Sequence, residues 1–209
     1  KNNKIIASFK NKDKIYSEPF DKVMICVGRF PNTLNLGLEK AGIQTDKNGF
    51  IKVNKKRRTI IPNIYAIGDI TGAPMLAHKA THEAKIAAEN VAEIKSFFEP
   101  LSIPSVIYTN PEIAWVGYTE NDLINKKKKY NKAVFPWSAS GRALAMGEKN
   151  GKTKLLMTKD NSKILGIGIT GHNAGELINE AILAMEMGAN SEDLSLTIHA
   201  HPTLSETIS

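Results

Sequence analysis

Two imidazoles and a carboxylate fall within eight residues near the end of the chain, in the run His199, Ala200, His201, Pro202, Thr203, Leu204, Ser205, Glu206. An imidazole titrates near pH 6.5 without neighbours, which suits reversible proton transfer, and a nearby carboxylate orients the ring and favours its charged form. His201 and Glu206 are spaced to make such a pair. Pro202 reads as the first residue of a helix, so the backbone turns at His201 and leaves that side chain outside the helix barrel. A helix start that merely carries a surface histidine has the same spacing, and that reading stays open. A zinc site needs a third ligand, and no spacing in the chain supplies one.

Two further segments carry groups suited to a ligand. The apolar run Ile64 to Ile67 ends in Gly68 and Asp69. A carboxylate at a strand end faces the ligand crevice of an open α/β sheet, although it also suits capping the following turn. Met75, Leu76, Ala77 and His78 lead into a helix expected from Lys79, where free backbone N–H groups attract negative charge. Met75 and Leu76 equally suit core packing, and His78 reads as a helix-start residue. Upstream, Val23 to Val27 has the pattern of a strand buried on both faces and ends in Gly28 and Arg29. Gly28 removes a side chain where a dinucleotide could approach, and Arg29 suits a phosphate or a surface ion pair. Cys26, the single cysteine, reads as a structural thiol in that buried strand.

The elements that must position these groups follow from periodicity. Residues 4 to 9 and 14 to 16 suggest a hairpin around Asn11, Lys12 and Asp13. Lys79 to Ile94 has apolar positions at helical spacing, with Ile86, Ala87, Val91 and Ile94 on one face. Two prolines between Ser96 and Pro104 mark a domain boundary near residue 99. Beyond it, Val106 to Tyr108 and Ala114 to Val116 read as strands, and Thr119 to Asp122 as a capping-box helix start. Lys154 to Met157 and Ile164 to Ile169 form a hairpin around Asp160 to Ser162, and Ala174 to Met187 is an amphipathic helix stopped by Gly188. Gly166, Gly168 and Gly171 lie in or after a hairpin strand, so they read as close-packing positions rather than a phosphate loop. Their spacing is G-x-G-x-x-G, but the usual FAD and NAD loops of that pattern, set in a strand-to-helix turn, are missing.

Composition is that of a folded globular chain, 42% hydrophobic and 23% charged. The net charge of +7 permits an acidic partner, but the lysines are scattered, and Lys126 to Lys129 stand where cations complement a helix C-terminus. No nucleic-acid partner is expected. No apolar run approaches a membrane span, and one cysteine allows no internal disulfide, which fits a reducing, cytoplasmic setting. The opening Lys1, Asn2, Asn3, Lys4 and the closing Thr207, Ile208, Ser209 read as a chain cut at both ends.

His201, Pro202, Thr203 and Glu206 match the His-Pro-Thr-x-x-Glu signature of the pyridine nucleotide-disulfide oxidoreductases. Thr197 to Glu206 resembles the dihydrolipoyl dehydrogenase branch in particular. Ala66 to Asp69 with Pro74 to Lys79 is similar to the family's second flavin-contact segment, and Cys26 to Arg29 with Pro31 to its nicotinamide-side loop. Tyr108 to Gly117 and Phe135 to Arg142 resemble parts of its dimer-forming domain. The resemblance implies an α/β region, the end of a Rossmann-type nucleotide-binding fold, followed by an α+β dimerisation domain. Residues 1–30 would end an NAD-binding domain, 31–98 return to an FAD-binding domain, and 99–209 form the interface domain. It further implies FAD held by Asp69, Met75, Leu76, Ala77 and His78, and NAD held by Cys26, Val27, Gly28 and Arg29. His201 becomes the acid/base, with Glu206 polarising it, and reaches the redox disulfide of the opposite subunit in a homodimer. The activity implied is oxidation of dihydrolipoyl groups carried by the lipoyl-domain protein of a 2-oxoacid dehydrogenase complex. That disulfide and the main nucleotide loops are not in this sequence, so the isolated fragment is expected to be inactive. A glutathione-reductase-like enzyme and a non-catalytic dimerisation module are the alternatives.

Overall fold

The computed structural model describes residues 4–209; the reading of Lys1, Asn2 and Asn3 falls outside the described residues. The chain divides into two compact units, Lys1–Phe98 and Glu99–Ser209.

In the first unit, β1 (Ile5–Asn11) and β2 (Lys14–Phe20) pair antiparallel, with Phe9 stacked on Tyr16 at 5.2 Å and Ser8 Oγ 2.8 Å from Ser17 Oγ. Cross-strand pairs of this kind hold a hairpin that buries little else. The next segment departs from expectation: Val23 to Val27 forms no strand, and Met24, Ile25 and Val27 are exposed at 86%, 79% and 93%. Cys26 is likewise exposed rather than buried in a strand. A strand exists by pairing, and among the described residues none lies beside this run. A small core gathers Ile43, Ile51 and Ala66, with Leu38, Ile64 and Ile70 packed on it. Ile64 to Ile67 is extended, but its ladder is a single bridge, Arg58 to Tyr65. A 3-10 turn, Gly68–Thr71, then leads to α1 (Ala77–Val91). Helix α1 buries Ile86 and Ala87, while Val91 is exposed and the helix stops before Ile94.

The second unit is built on a five-stranded antiparallel sheet in the order β3-β4-β7-β6-β5, with β3 Ser105–Ile107, β4 Glu112–Gly117, β5 Asn131–Pro136, β6 Lys152–Met157 and β7 Ile164–Gly171. One face of β4 and β7 buries Ala114, Val116, Ile167 and Ile169 against Ala174, Ile178, Ala181 and Ala184 of α4 (Ala174–Glu186). Those four helix positions recur at the period of one helical face, and small alanines let the helix lie close to the sheet. The N-terminus of α4 has no side-chain cap of its own; Glu112 on β4 accepts the Gly175 N–H at 2.9 Å instead. Gly188, at φ 72°, ends the last turn in the left-handed conformation that favours glycine. Helix α2 (Glu120–Asn125) opens on the expected capping box between Thr119 and Asp122. Two short helices, α3 (Gly141–Ala145) and α5 (Ser191–Leu196), complete the unit.

The three glycines behave differently from one another. A side chain at Gly166 would strike the Tyr118 carbonyl, and one at Gly171 the Trp137 ring, as close-packing positions require. Gly168 meets nothing within 4 Å and is not such a position. It lines an open apolar groove on the sheet with Trp115, Leu156 and Ile169.

Candidate functional site

The polypeptide leaves α5 at Thr197, runs through His199 and His201, and re-enters the core at Leu204, which is 8% exposed. Pro202 does not begin a helix: the His201–Pro202 peptide is cis, and the turn that follows is 3-10, Ser205–Thr207. What shapes this turn is a side chain. Glu206 Oε2 accepts the Thr203 N–H at 2.7 Å, and the Thr203 hydroxyl donates to the Ala200 carbonyl at 2.6 Å. The other carboxylate oxygen, Oε1, lies 2.8 Å from His201 Nδ1. With Nδ1–H donating to the carboxylate, the lone pair of a neutral ring sits on Nε2. That side chain is 77% exposed. The Thr203 N–H, and then His201, hold the Glu206 carboxyl below its ordinary value. His201 and Glu206 line a cleft with Phe135, Ser140 and Gly141.

Sequence reasoning gave no partner to His199. Its Nε2 lies 2.5 Å from Glu180 Oε1 on α4, and its Nδ1 lies 2.9 Å from the Thr197 carbonyl oxygen. The hydrogen bond to Glu180 raises the His199 imidazole above its ordinary value, and burial opposes it. Nineteen residues separate the partners, and nothing in the local pattern ties them.

In the first unit, the candidate residues form one neighbourhood rather than two. Arg29 lies 3.6 Å from the Asp69 carboxylate, and its guanidinium donates to the Met75 carbonyl oxygen. Asp69 stays 44% exposed at the start of its turn. Leu76 is the N-cap of the 15-residue helix α1 and provides no side-chain cap, so the helix begins at Ala77 and His78 with its positive end beside this neighbourhood. Gly28 has φ +145° and nothing within 4 Å of where a Cβ would stand. These are the features a flavin and a nicotinamide nucleotide would need: a carboxylate for a sugar hydroxyl, a positive helix end, and a bare backbone.

Beneath Asp69 lies a buried ionic cluster that the sequence did not reveal. Glu83, with a side chain 0% exposed, contacts Arg57 Nη1 at 2.7 Å and Lys79 Nζ at 3.1 Å. Its second oxygen accepts the Gly68 N–H at 2.6 Å, and Lys79 donates to the Gly72 carbonyl at 3.1 Å. Both ends of the Asp69 turn are therefore tied to α1. The Lys79–Glu83 spacing is a common surface ion pair on a helix, and only the arrival of Arg57, 26 residues upstream of Glu83, distinguishes it. Among the described residues, no group of three or more His, Cys, Asp or Glu side chains could hold a metal ion.

Residues 1–84 match a family model described as pyridine nucleotide-disulphide oxidoreductase, and residues 103–209 match the dimerisation domain of that family. The dihydrolipoyl dehydrogenase of Buchnera aphidicola subsp. Acyrthosiphon pisum is 54% identical over 189 residues, which is 90% of this chain and 40% of that protein. The dihydrolipoyl dehydrogenase of Haemophilus influenzae is 49% identical over 208 residues, covering 100% of this chain and 44% of that protein. The chain thus spans less than half the length of these curated relatives. Among solved structures, the HOCl-induced flavoprotein disulfide reductase RclA from Escherichia coli superposes with a TM-score of 0.86 at 25% identity, over 96% of this chain and 46% of that one. LpdA from Mycobacterium tuberculosis gives 0.86 at 24% identity, over 99% and 49%, a likeness of fold. The expected class, the end of a Rossmann-type α/β region followed by an α+β dimerisation domain, agrees with these matches.

Proposed function

The chain belongs to the pyridine nucleotide-disulphide oxidoreductases, and from that membership we propose that the protein carrying it is a dihydrolipoyl dehydrogenase. The reaction converts a dithiol and NAD+ into a cyclic disulfide, NADH and a proton. One observation carries the reading: an imidazole whose Nδ1 is 2.8 Å from Glu206 and whose ring is exposed, within the part of the chain that matches a dimerisation domain.

The chemistry follows from the tautomer. A dithiol attacks a disulfide only as the thiolate, so its S–H must first lose a proton. His201 Nε2 accepts that proton. The Nδ1–H bond to Glu206 then stabilises the imidazolium, and because Glu206 is also fastened by the Thr203 N–H, it needs no reorganisation to do so. Asp69 and the Met75–His78 segment would hold FAD, and the Cys26–Arg29 segment NAD; bound there, these groups accept the electron pair. Arg29 supplies a cation at that place, already aligned by Asp69 and the Met75 carbonyl. Residues 1–30 then end the NAD-binding domain, 31–98 belong to the flavin domain, and 99–209 form the interface domain.

A base on an exposed strap needs a surface opposite, which supports a homodimer. Leu196 and Ile198 beside the strap are exposed at 73% and 98%. Apolar side chains so placed suit a contact surface. Substrate reaches the protein on the lipoyl domain of a 2-oxoacid dehydrogenase complex, in the cytoplasm. No helix among the described residues is long and apolar enough to cross a membrane.

Stopped-flow measurement of flavin reduction by dihydrolipoamide in the intact protein tests the assignment. His201→Gln is expected to slow that step roughly 100-fold or more while FAD stays bound, since a general base contributes about 10²- to 10⁴-fold. An unchanged rate overturns the role given to His201.

A further inference from the structure

We propose that His199 is a cationic clasp that positions the His201–Glu206 pair, a role that rests on the acid/base reading of that pair. Both ring nitrogens of His199 face acceptors: a backbone carbonyl at Nδ1, 2.9 Å away, and a carboxylate at Nε2, 2.5 Å away. A neutral imidazole has one N–H and can satisfy one of these. Both contacts are hydrogen bonds only when the ring carries two protons. His201, two residues on, faces one carboxylate with Nδ1 and leaves Nε2 open. The geometry thus calls for two protons on His199 and leaves Nε2 of His201 open to a reactant.

The placement gives the cation its purpose. From Ser195 to Pro202 every residue except His199 is exposed, and the side chain of His199 is only 8% exposed. Between the buried Leu194 and Leu204, His199 fastens the strap through Glu180 to α4, while His201 and Thr203 bond to Glu206 in the turn that follows. The charged groups that face His199 are Glu180 from α4 and Glu206 from the Ser205–Thr207 turn. His199 in turn is one of the charges that keep Glu206 ionised. Losing it would free the strap and make Glu206 easier to protonate, so His201 would lose its orienting partner at a higher pH.

The test uses the intact protein labelled with ¹⁵N-histidine. At pH 7.5 a doubly protonated ring is expected in wild type that is lost in His199→Gln; if no such ring exists, or if none is lost in His199→Gln, the proposal is overturned. That readout needs no turnover. In the same spectra the low-field Nδ1–H signal of His201 should weaken in His199→Gln and in Glu180→Gln. The acid limb of kcat/KM for dihydrolipoamide should move up in both variants, on the order of half a pH unit. Variants that unfold at lower temperature but keep the limb and the His201 signal unmoved would show a merely structural contact and overturn the positioning role. A wild type that does not oxidise dihydrolipoamide would fail the acid/base reading instead, while the ring's protonation state is still decided by the spectrum.

Discussion

Replacing Glu83 by leucine should destabilise the protein more than removing all three charged members of its cluster. Glu83 is fully buried, and it neutralises Arg57 and Lys79, whose side chains are 12% and 5% exposed. Deleting one partner of a buried ion pair costs about 3–5 kcal/mol because the opposite charge stays buried and unpaired. Lys79 keeps some relief, since the Gly68 and Gly72 carbonyls lie 3.4 and 3.1 Å from its ammonium. The Gly68 N–H loses its only acceptor among these contacts, which costs about 1–3 kcal/mol. We therefore expect about 4 kcal/mol for Glu83→Leu. The triple variant Arg57→Met, Lys79→Met, Glu83→Leu removes the stranded cations and retains only the orphaned amide, about 1–3 kcal/mol. In urea, with a slope of about 2.5 kcal/mol per molar, the single variant should unfold about 1.5 M earlier than wild type, and the triple variant should recover about half of that. Circular dichroism gives the midpoints, and amide exchange at Gly68 shows whether the turn opens locally. A triple variant as unstable as the single one would refute the argument that stranded charge sets the cost.

Two further outcomes follow from geometry and charge. Gly171→Ala would press a methyl group into the Trp137 ring, from a backbone at φ +151°, and should cost about 1–3 kcal/mol or more in a thermal or urea melt, whereas Gly168→Ala, which meets open space, should cost less than about 1 kcal/mol. Glu120 accepts hydrogen bonds from Lys154 at 2.7 Å and Lys132 at 3.0 Å, which pull its carboxyl from the ordinary 4.5 down to about 2. A lowered value in the folded state means that the stabilisation is complete above the ordinary carboxylate range and is lost as pH falls through about 2. The gap between wild type and Glu120→Gln in urea midpoint should therefore close between pH 5 and pH 2; a gap independent of pH would refute the assignment.

Local rules made much of the second unit legible. Thr119 with Asp122, Gly188 after α4, and the turn between β6 and β7 each declare themselves within a few residues, because caps and turns are satisfied by near neighbours. Strand β5 was not foreseen: Asn131 to Pro136 is an edge strand of mixed polarity, and its pairing with β6 supplies what periodicity lacks. Long-range charge was also hidden. Arg57 with Glu83 and His199 with Glu180 each look like ordinary surface residues until the fold joins them. The buried-strand reading of Val23 to Val27 failed for the complementary reason, since an apolar run records a demand for neighbours without naming them. His201 and Glu206 were readable as a pair from their spacing, but the turn between them was not, because a carboxylate bonded to a backbone amide builds it rather than a proline-led helix.

Trp137 is wholly buried; its indole N–H donates to the Thr153 hydroxyl at 3.1 Å, and that oxygen lies 2.8 Å from Thr207 Oγ1. Thr207 follows Glu206 directly, so three bonded polar groups anchor to the sheet the turn that carries the carboxylate facing His201. A hydroxyl rotor in the interior has few acceptable settings, and changing any one link obliges the others to re-choose. The footing of the turn beneath the His201–Glu206 pair is thereby set by residues that are almost wholly buried. Sequence drift at position 137 or 153 is answerable to the anchoring of that turn.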